Sequence, residues 1–493
     1  MSEGTDARGE PLLIPGQTCW RVVRAEQFAP IIDAADYFRH AKAAMLRAQR
    51  RVFLIGWDFD TGVEFERGRK SMLGPNQLGT FLRWLVRARP KLEVYLLRSN
   101  VRLLPAFEGL WGRVTPVALL NWLSSERLQF AIDGAHPTGA VPHQKFVVID
   151  DAFALCGGLD FTGDRWDTSD HKPHNRFRRT RGRSYGPRHE VALAVDGAAA
   201  RALGELARDR WRAATGQRLS EIDAAHVVWP RGLEPVMRDV DVGIARTLPA
   251  LNGHKGIREV EALNLAAIAA ARHVIYLENQ YLASRELADA LADRLREPEG
   301  PEIVIVIPRW SESRLEQQSM DSARYRLLDM LWAADDYDRL GVYWPVADDG
   351  TPIYVHSKVL VVDDRLLRVG SSNLNNRSMG FDSECDLAVE ADPTADEQAN
   401  VRDTITSLRH RLIAEHLGVT VEEFERTMGE RASFLCAVES MRGEGRTLHR
   451  FDRDTVAGEA SPLAENDLMD PDGVPRSVAQ SVQRWLTRLT MRP

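Results

Sequence analysis

The sequence predicts an α/β protein built from two similar halves, and three observations lead there. At 493 residues the chain exceeds one ordinary domain. Apolar, strand-like runs alternate with amphipathic helical stretches, the pattern of helices layered on a mostly parallel sheet. The same succession of elements then occurs twice, and a long internal repeat outranks any single local signal.

In the first half the helical stretch AKAAMLRAQR (41–50) runs into the apolar strand VFLIGW (52–57). In the second, EVEALNLAAIAAAR (259–272) runs into HVIYL (273–277). Buried-strand patterns follow in parallel: LEVYLLR (92–98) matches EIVIVIP (302–308), and LQFAID (128–133) matches LGVYWPV (340–346). Each half then reaches the same block, HQKFVVIDDAFALCGGLDF from His143 and HSKVLVVDDRLLRVGSSNLN from His356. Paired positions keep a near-constant offset: 222 for Val52 and Val274, 210 for Val94 and Val304, 213 for His143 and His356. The expected organisation is an N-terminal extension (1–30), a first half (31–230), a second half (231–435) and a C-terminal extension (436–493). The connection lies at about 216–245, and a last helix-like piece at SVAQSVQRWLTRLT (477–490) packs back on the body.

Composition narrows the function classes. A net charge of -7 argues against a protein that coats nucleic acid through overall charge, while leaving room for a local basic patch. The four cysteines, Cys19, Cys156, Cys385 and Cys436, form no CxxC pair, so neither a disulfide framework nor a zinc site is indicated. The polar, acidic start MSEGTDARGEPLLIPG has no Sec-signal pattern, and no apolar run reaches the ~18 residues needed to span a bilayer. The expectation is a cytoplasmic or peripheral-membrane protein, export by a non-Sec route being the alternative.

The repeated block carries the chemistry. In a strand reading of HQKFVVID, His143 and Lys145 share one face, and HSKVLVVD repeats this with His356 and Lys358. A phosphoryl centre needs a nucleophile, cations for its non-bridging oxygens and an acid for the leaving oxygen, and two such blocks facing one another contain all three. One His-x-Lys is weak; two identical His-x-Lys-x4-Asp patterns, ending at Asp150 and Asp363, at equivalent places in a repeat are not. Fourteen positions after each histidine stand small residues, Gly157-Gly158 and Gly370-Ser371, that let backbone approach an anion. Position seventeen is Asp160 in one half and Asn373 in the other. Each histidine also needs an orienting acid, and Glu190 and Glu384 head matching alternating strands, 47 and 28 residues after their histidines.

These residues resemble the phospholipase D superfamily, whose hallmark is HxKxxxxD followed by GG or GS and then Asp or Asn. The resemblance covers about residues 30–420. It extends to IGWDFD (55–60), GGLDFTGDRWD (157–167) with His171 after it, YLENQYL (276–282), GSSNLNNRSM (370–379) and RLIAEHLG (411–418). It implies two α-β-α sandwich halves with one active site at their interface. It also implies that His143 attacks phosphorus to give a phosphohistidine while His356 protonates the departing alcohol and then activates water. Lys145, Lys358 and Asn373 would hold the phosphoryl oxygens, with Ser371, Gly157, Gly158 and Asp160 beside them, and Asp150 and Asp363 would anchor the site. The sequence departs from relatives at Pro187-Arg188-His189-Glu190, where they commonly carry a PWHD-like stretch. No metal or other cofactor is implied, since lysines and imidazoles supply the positive charge, and activity should survive EDTA.

Two further features bear on the substrate. Lys172 to Arg188, KPHNRFRRTRGRSYGPR, holds seven Lys/Arg and no acid. It is either a solvated loop or a basic lip for anionic headgroups formed by Arg178, Arg179, Arg181 and Arg183. Trp166 and Tyr281 are expected to line a pocket, Trp57 and Trp310 to finish a core. The leading expectation is a phospholipase D that works as a monomer on a membrane phospholipid, with water or an alcohol as acceptor. A cardiolipin or phosphatidylserine synthase-like phosphatidyltransferase is the first alternative, and a nuclease is disfavoured by net acidity.

Overall fold

A computed structural model describes residues 10–100, 126–222, 226–251, 253–392, 395–456, 470, 471 and 473. The fold is mixed α/β. Apolar runs such as Arg51–Gly56 and Val359–Val362 are buried along their whole length, as strands covered on both faces must be. They join one 16-stranded sheet whose order is mirrored about its centre. From one edge inward run Leu128–Asp133, Glu93–Ser99, Arg51–Gly56, Phe146–Ile149, Phe153–Gly157, Val191–Asp196 and Arg21–Ile32. Inward from the other edge come Thr447–Arg450, Leu340–Val346, Glu302–Val306, Val274–Glu278, Val359–Val362, Leu366–Gly370, Glu384–Glu390 and Met237–Leu248. The two long strands Arg21–Ile32 and Met237–Leu248 pair antiparallel at the centre, Arg21 opposite Ile244 and Phe28 opposite Met237.

Helices pack on both faces. Ala34–Met45 and Leu78–Ala88 cover one face of the first half. Glu259–Ala270, Arg285–Arg296 and Ser322–Ala334 cover its counterpart in the second. Gly197–Thr215 and Ala399–Leu417 share the core on the opposite face.

The sheet is not mostly parallel, contrary to the sequence expectation. Among the described strands of this sheet, pairing is parallel only among Arg51–Gly56, Glu93–Ser99 and Leu128–Asp133, and among Val274–Glu278, Glu302–Val306 and Leu340–Val346. Helices such as Leu78–Ala88 and Arg285–Arg296 carry the chain back to the start of the next strand there. After each His-Lys block the chain instead turns tightly, and the remaining neighbours are antiparallel.

The expected boundaries shift too. The 1–30 extension contains most of the central strand Arg21–Ile32, and the supposed connection at 216–245 contains much of Met237–Leu248. The 436–493 extension is not merely peripheral: Thr447–Arg450 adds an edge strand, and the Asp470 carboxylate accepts the Asn376 and Arg377 backbone N–H groups at 3.0 and 2.8 Å. The helix expected at 477–490 lies outside the described residues. Among the described residues no helix is long and apolar enough to cross a membrane.

Candidate active site

His143 and Lys145 immediately precede the Phe146–Ile149 strand, and His356 and Lys358 immediately precede or enter Val359–Val362. Alternation along the first strand sends Phe146 and Val148 into one core and Val147 and Ile149 into the other, which fixes the roll of the segment carrying the histidine. Each lysine folds back so that its ammonium donates to the carbonyl of its own histidine, Lys145 at 3.0 Å and Lys358 at 2.6 Å.

Asp150 and Asp363 sit at the far end of these strands, in tight turns with φ of 53° and 52°, a left-handed conformation that Asp tolerates. The Asp150 carboxylate accepts the backbone N–H groups of Gln49, Arg50 and Arg51 at 2.6 to 2.8 Å. Asp363 does the same for Arg272, His273 and Val274, each at 2.8 Å. These carboxylates therefore lock the His-Lys strand to its neighbour and are remote from the chemistry.

The orienting acids are exchanged between halves. His143 Nδ1 lies 3.0 Å from both oxygens of Glu384, and His356 Nδ1 lies 2.5 Å from Glu190 Oε1, the latter a close approach without hydrogen-bond angles. Matching backbone bonds enforce the exchange. The His143 N–H donates to the Ser383 carbonyl and the His356 N–H to the His189 carbonyl, both at 2.9 Å, each acceptor directly preceding the acid. Gly158 sits in this junction: a Cβ there would meet Glu190 Oε2 and the His356 carbonyl at 3.0 Å.

Glu384 is held by the hydroxyls of Ser371 at 2.5 Å and Ser378 at 2.6 Å. Ser371 thus supports the acid rather than facing a substrate. Asp160 likewise turns inward, accepting the Trp57 N–H at 2.8 Å and lying 3.6 Å from the Lys145 ammonium, whereas Lys358 donates to the Gln280 amide oxygen at 3.1 Å. Asn373 differs, because its buried side-chain oxygen has no hydrogen-bond partner among the described residues. Gly157 packs under Ala192, where a Cβ would clash at 2.7 Å.

Electrostatics disfavour the charged form of both imidazoles. Burial, then Lys145 and Lys358, hold His143 well below its ordinary range; burial, then Lys358, Arg165 and Arg188, do the same for His356. Burial raises Glu190, and raises Glu384 to about 8 against the pull of Lys145 and the two hydroxyls. Burial also lowers Lys358 to about 7, despite Glu190.

Several contributors were not singled out in the sequence. Arg165 and Arg188 converge on Glu312 beside His356, and among the described residues Arg188 Nε and Nη2 are buried without partners. The Tyr354 ring stacks 6.3 Å from that of His356, its hydroxyl accepting from Gln280. Arg165 and Gln280 lie within the GDRWD and ENQY segments and Arg188 precedes His189-Glu190, but nothing in those strings marks the side chains as site residues; Tyr354, two residues before His356, carries no motif of its own.

Behind His356 lies a second buried group: Asp33, Asp167, His171, His189, Glu278, Glu415 and His416. Burial opposes charging His171 and His189, but the carboxylates around them prevail, raising His171 to about 9 and His189 well above its usual value.

The aromatics and the basic loop need correction. Trp166 does not line a pocket; it is 5% exposed in the first-half core, edge-on to Phe177 with the Arg67 guanidinium 5.3 Å above it. Trp310, expected in a core, is 50% exposed, and Trp57 is half-buried. Tyr281 is buried, its hydroxyl donating to Glu316 and accepting from Gln280, the residue that holds Lys358. Arg178 is not on the lip: it is buried and paired with Asp167 at 3.1 Å. Lys172, Arg176, Arg179, Arg181 and Arg183 are exposed.

Comparison with known proteins agrees with this constellation. A family model described as phospholipase D matches residues 346–460, which contain the second His-Lys block. The chain is 25% identical over 401 residues to phospholipase D alpha 1 of Cynara cardunculus, covering 58% of this chain and 50% of that protein. It is 24% identical over 511 residues to phospholipase D1 of Saccharomyces cerevisiae, covering 82% of this chain and 29% of that one. The chain thus spans half or less of the length of these relatives. Among solved structures, a phosphatidylserine synthase of Haemophilus influenzae shares the fold, with a TM-score of 0.53 at 13% identity over 85% of this chain and 96% of that one. Two His-Lys blocks, each histidine facing the other half's carboxylate, together with these similarities, support membership of the phospholipase D superfamily.

Proposed function

We propose that this protein is a phospholipase D: it hydrolyses the distal phosphodiester bond of a glycerophospholipid, giving phosphatidate and a free headgroup alcohol. The observation that carries this reading is the exchanged pair His143–Glu384 and His356–Glu190 between two inward lysines. In the proposed reaction His143 Nε2 attacks phosphorus, the bond from phosphorus to the headgroup oxygen breaks, and His356, protonated once the anionic phosphodiester lies beside it, gives that oxygen its proton. Water, deprotonated by His356, then attacks the phosphohistidine and releases phosphatidate. Lys145, Lys358 and Asn373 would take the non-bridging oxygens, with Arg165 and Arg188 adding positive charge beside His356. The His143 side chain is 17% exposed and that of His356 7%, which suits His143 to meet the phosphorus.

Each half is proposed to act as one α-β-α sandwich, with the site at their interface. The monomer would approach a membrane from water, guided by the exposed basic residues of the 172–183 loop. Parallel incubations with phosphatidylcholine, with phosphatidylglycerol plus glycerol, and with single-stranded DNA test the reading. Phosphatidate and choline from the first support it, and cleavage of DNA alone overturns it. Quantitative transfer to glycerol with no hydrolysis reassigns the protein as a phosphatidyltransferase.

A further inference from the structure

The buried group behind His356 has the makings of a site that the phosphoryl chemistry does not use. Asp33, His171, His189 and Glu415 each offer one donor atom, and these atoms lie within 4.8 Å of one another. Glu415 Oε1 is 3.0 Å from His189 Nδ1 and 3.2 Å from His171 Nε2. The Asp33 oxygens lie 3.4 Å from His189 Nδ1 and 3.7 Å from His171 Nε2. A tetrahedral ion with bonds of about 2.0 to 2.1 Å separates its donors by roughly 3.3 Å; with Asp33 Oδ2 as the donor, the separations of 3.0, 3.2 and 3.7 Å bracket that edge, the 3.4 Å contact being made by Oδ1.

The outer contacts are those of metal-binding imidazoles, whose far nitrogen is normally held by a carboxylate. His171 Nδ1 lies 3.0 Å from Asp167, which is fixed by Arg178 at 3.1 Å and by the Arg188 N–H at 2.9 Å. His189 Nε2 lies 3.0 Å from Glu278, which accepts from Tyr276 and Ser357 at 2.6 Å and contacts His416 at 3.1 Å. Both rings therefore present their remaining nitrogens to the same point.

An independent observation marks that point as wanting a ligand. Asp33 is 1% exposed, yet its Oδ2 has no hydrogen-bond partner among the described residues, which is costly for a buried carboxylate oxygen. Asp33 is also held at φ 64°, a left-handed conformation, with Oδ1 accepting the Glu190 N–H at 3.1 Å.

We propose that Asp33, His171, His189 and Glu415 bind one divalent transition-metal ion of the zinc type in a closed, structural site. Two imidazole nitrogens and two carboxylates suit zinc, whereas calcium and magnesium favour sites built of oxygen. The ion ties three first-half residues to the Ala399–Leu417 helix of the second half. Through the Asp33–Glu190 and His189–His356 backbone bonds it holds one catalytic pair in place. The donors come from four separate segments between positions 33 and 415, so no local spacing motif announces them.

The test uses the full chain and reads metal rather than turnover, so it stands or falls apart from the lipid reaction. Protein unfolded in chelator is refolded with or without zinc chloride, and bound metal is counted by mass spectrometry. About one equivalent, a rise of several degrees in the unfolding midpoint, and the intense visible bands of a tetrahedral site when cobalt replaces zinc are expected. Asp33→Asn and Glu415→Gln should each cut the stoichiometry at least tenfold. If either fails to fold, the wild-type stoichiometry and cobalt spectrum decide. Less than a tenth of an equivalent at excess zinc, an octahedral cobalt spectrum, or full retention in a folded variant overturns the proposal and leaves the cluster as hydrogen-bonded imidazoles.

Discussion

Replacing Glu384 by Gln keeps the volume and both serine contacts of this side chain but removes the charge that faces His143. When His143 attacks phosphorus its ring becomes cationic, with the carboxylate 3.0 Å from Nδ1. At that separation the attraction is about 5 kcal/mol for an effective dielectric near 20. A neutral hydrogen bond retained by Gln restores roughly 1 kcal/mol. The net loss of about 4 kcal/mol is close to a thousandfold in rate. The pH dependence sharpens the test. Burial holds Glu384 at about 8, so below that pH it is mostly protonated and the reactive carboxylate form grows about tenfold per unit as pH rises. Lys358, held near 7, titrates in both proteins and cancels in their ratio, so the ratio of wild-type to variant kcat/KM should climb to a plateau above about pH 8. The deficit is then roughly a hundredfold at pH 7 and a thousandfold at pH 8.5. A soluble chromogenic phosphodiester assayed from pH 6 to 9, with circular dichroism to confirm folding, measures both. A variant within tenfold of wild type at pH 8.5, or a deficit that does not grow with pH, would refute the role given to Glu384.

Glu190→Gln should spare the first chemical step on a substrate with a p-nitrophenolate leaving group, which needs no proton, while slowing choline release at least a hundredfold. Rapid quench of that variant should trap a phosphoenzyme on His143, and a label on His356 would reverse the two roles. Asp150→Asn should lower stability by about 3 kcal/mol, since a carboxylate holding three backbone N–H groups is weakened, while kcat of the folded fraction stays within about threefold; denaturant titration and active-site-normalised rates check this. Neutralising Arg179, Arg181 and Arg183 together should weaken binding to anionic vesicles about a hundredfold, at ~1 kcal/mol each, and leave the soluble substrate untouched. Equal loss on both would remove the membrane role, and Arg178→Gln should act through stability instead because Arg178 is buried against Asp167.

The sequence disclosed what short-range patterns can hold. His143 and Lys145, or His356 and Lys358, stand two residues apart, and the runs that bury Val52–Ile55 or Val359–Val362 are legible from composition alone. The repeat announced two halves, and the resemblance implied the anchoring role of Asp150 and Asp363. Sheet direction was misread because alternating helices and strands suggest parallel pairing, while the tight turns at Asp150 and Asp363 reverse the chain after each motif. The lip was over-counted since charge in a string carries no burial: Arg178 and Arg188 turn inward to Asp167 and Glu312.

By itself, then, the sequence determined the two His-Lys-Asp blocks and their duplication, because those are set by residue type and by spacings shorter than a strand. Only the tertiary structure decided that Glu384 serves His143 across 241 positions, that Glu190 serves His356, and that Asp33 meets Glu415. The reason is that the two motif strands are separated by six others in the sheet and their ends meet through long-range bonds, His143 to Ser383 and His356 to His189, which no local pattern records.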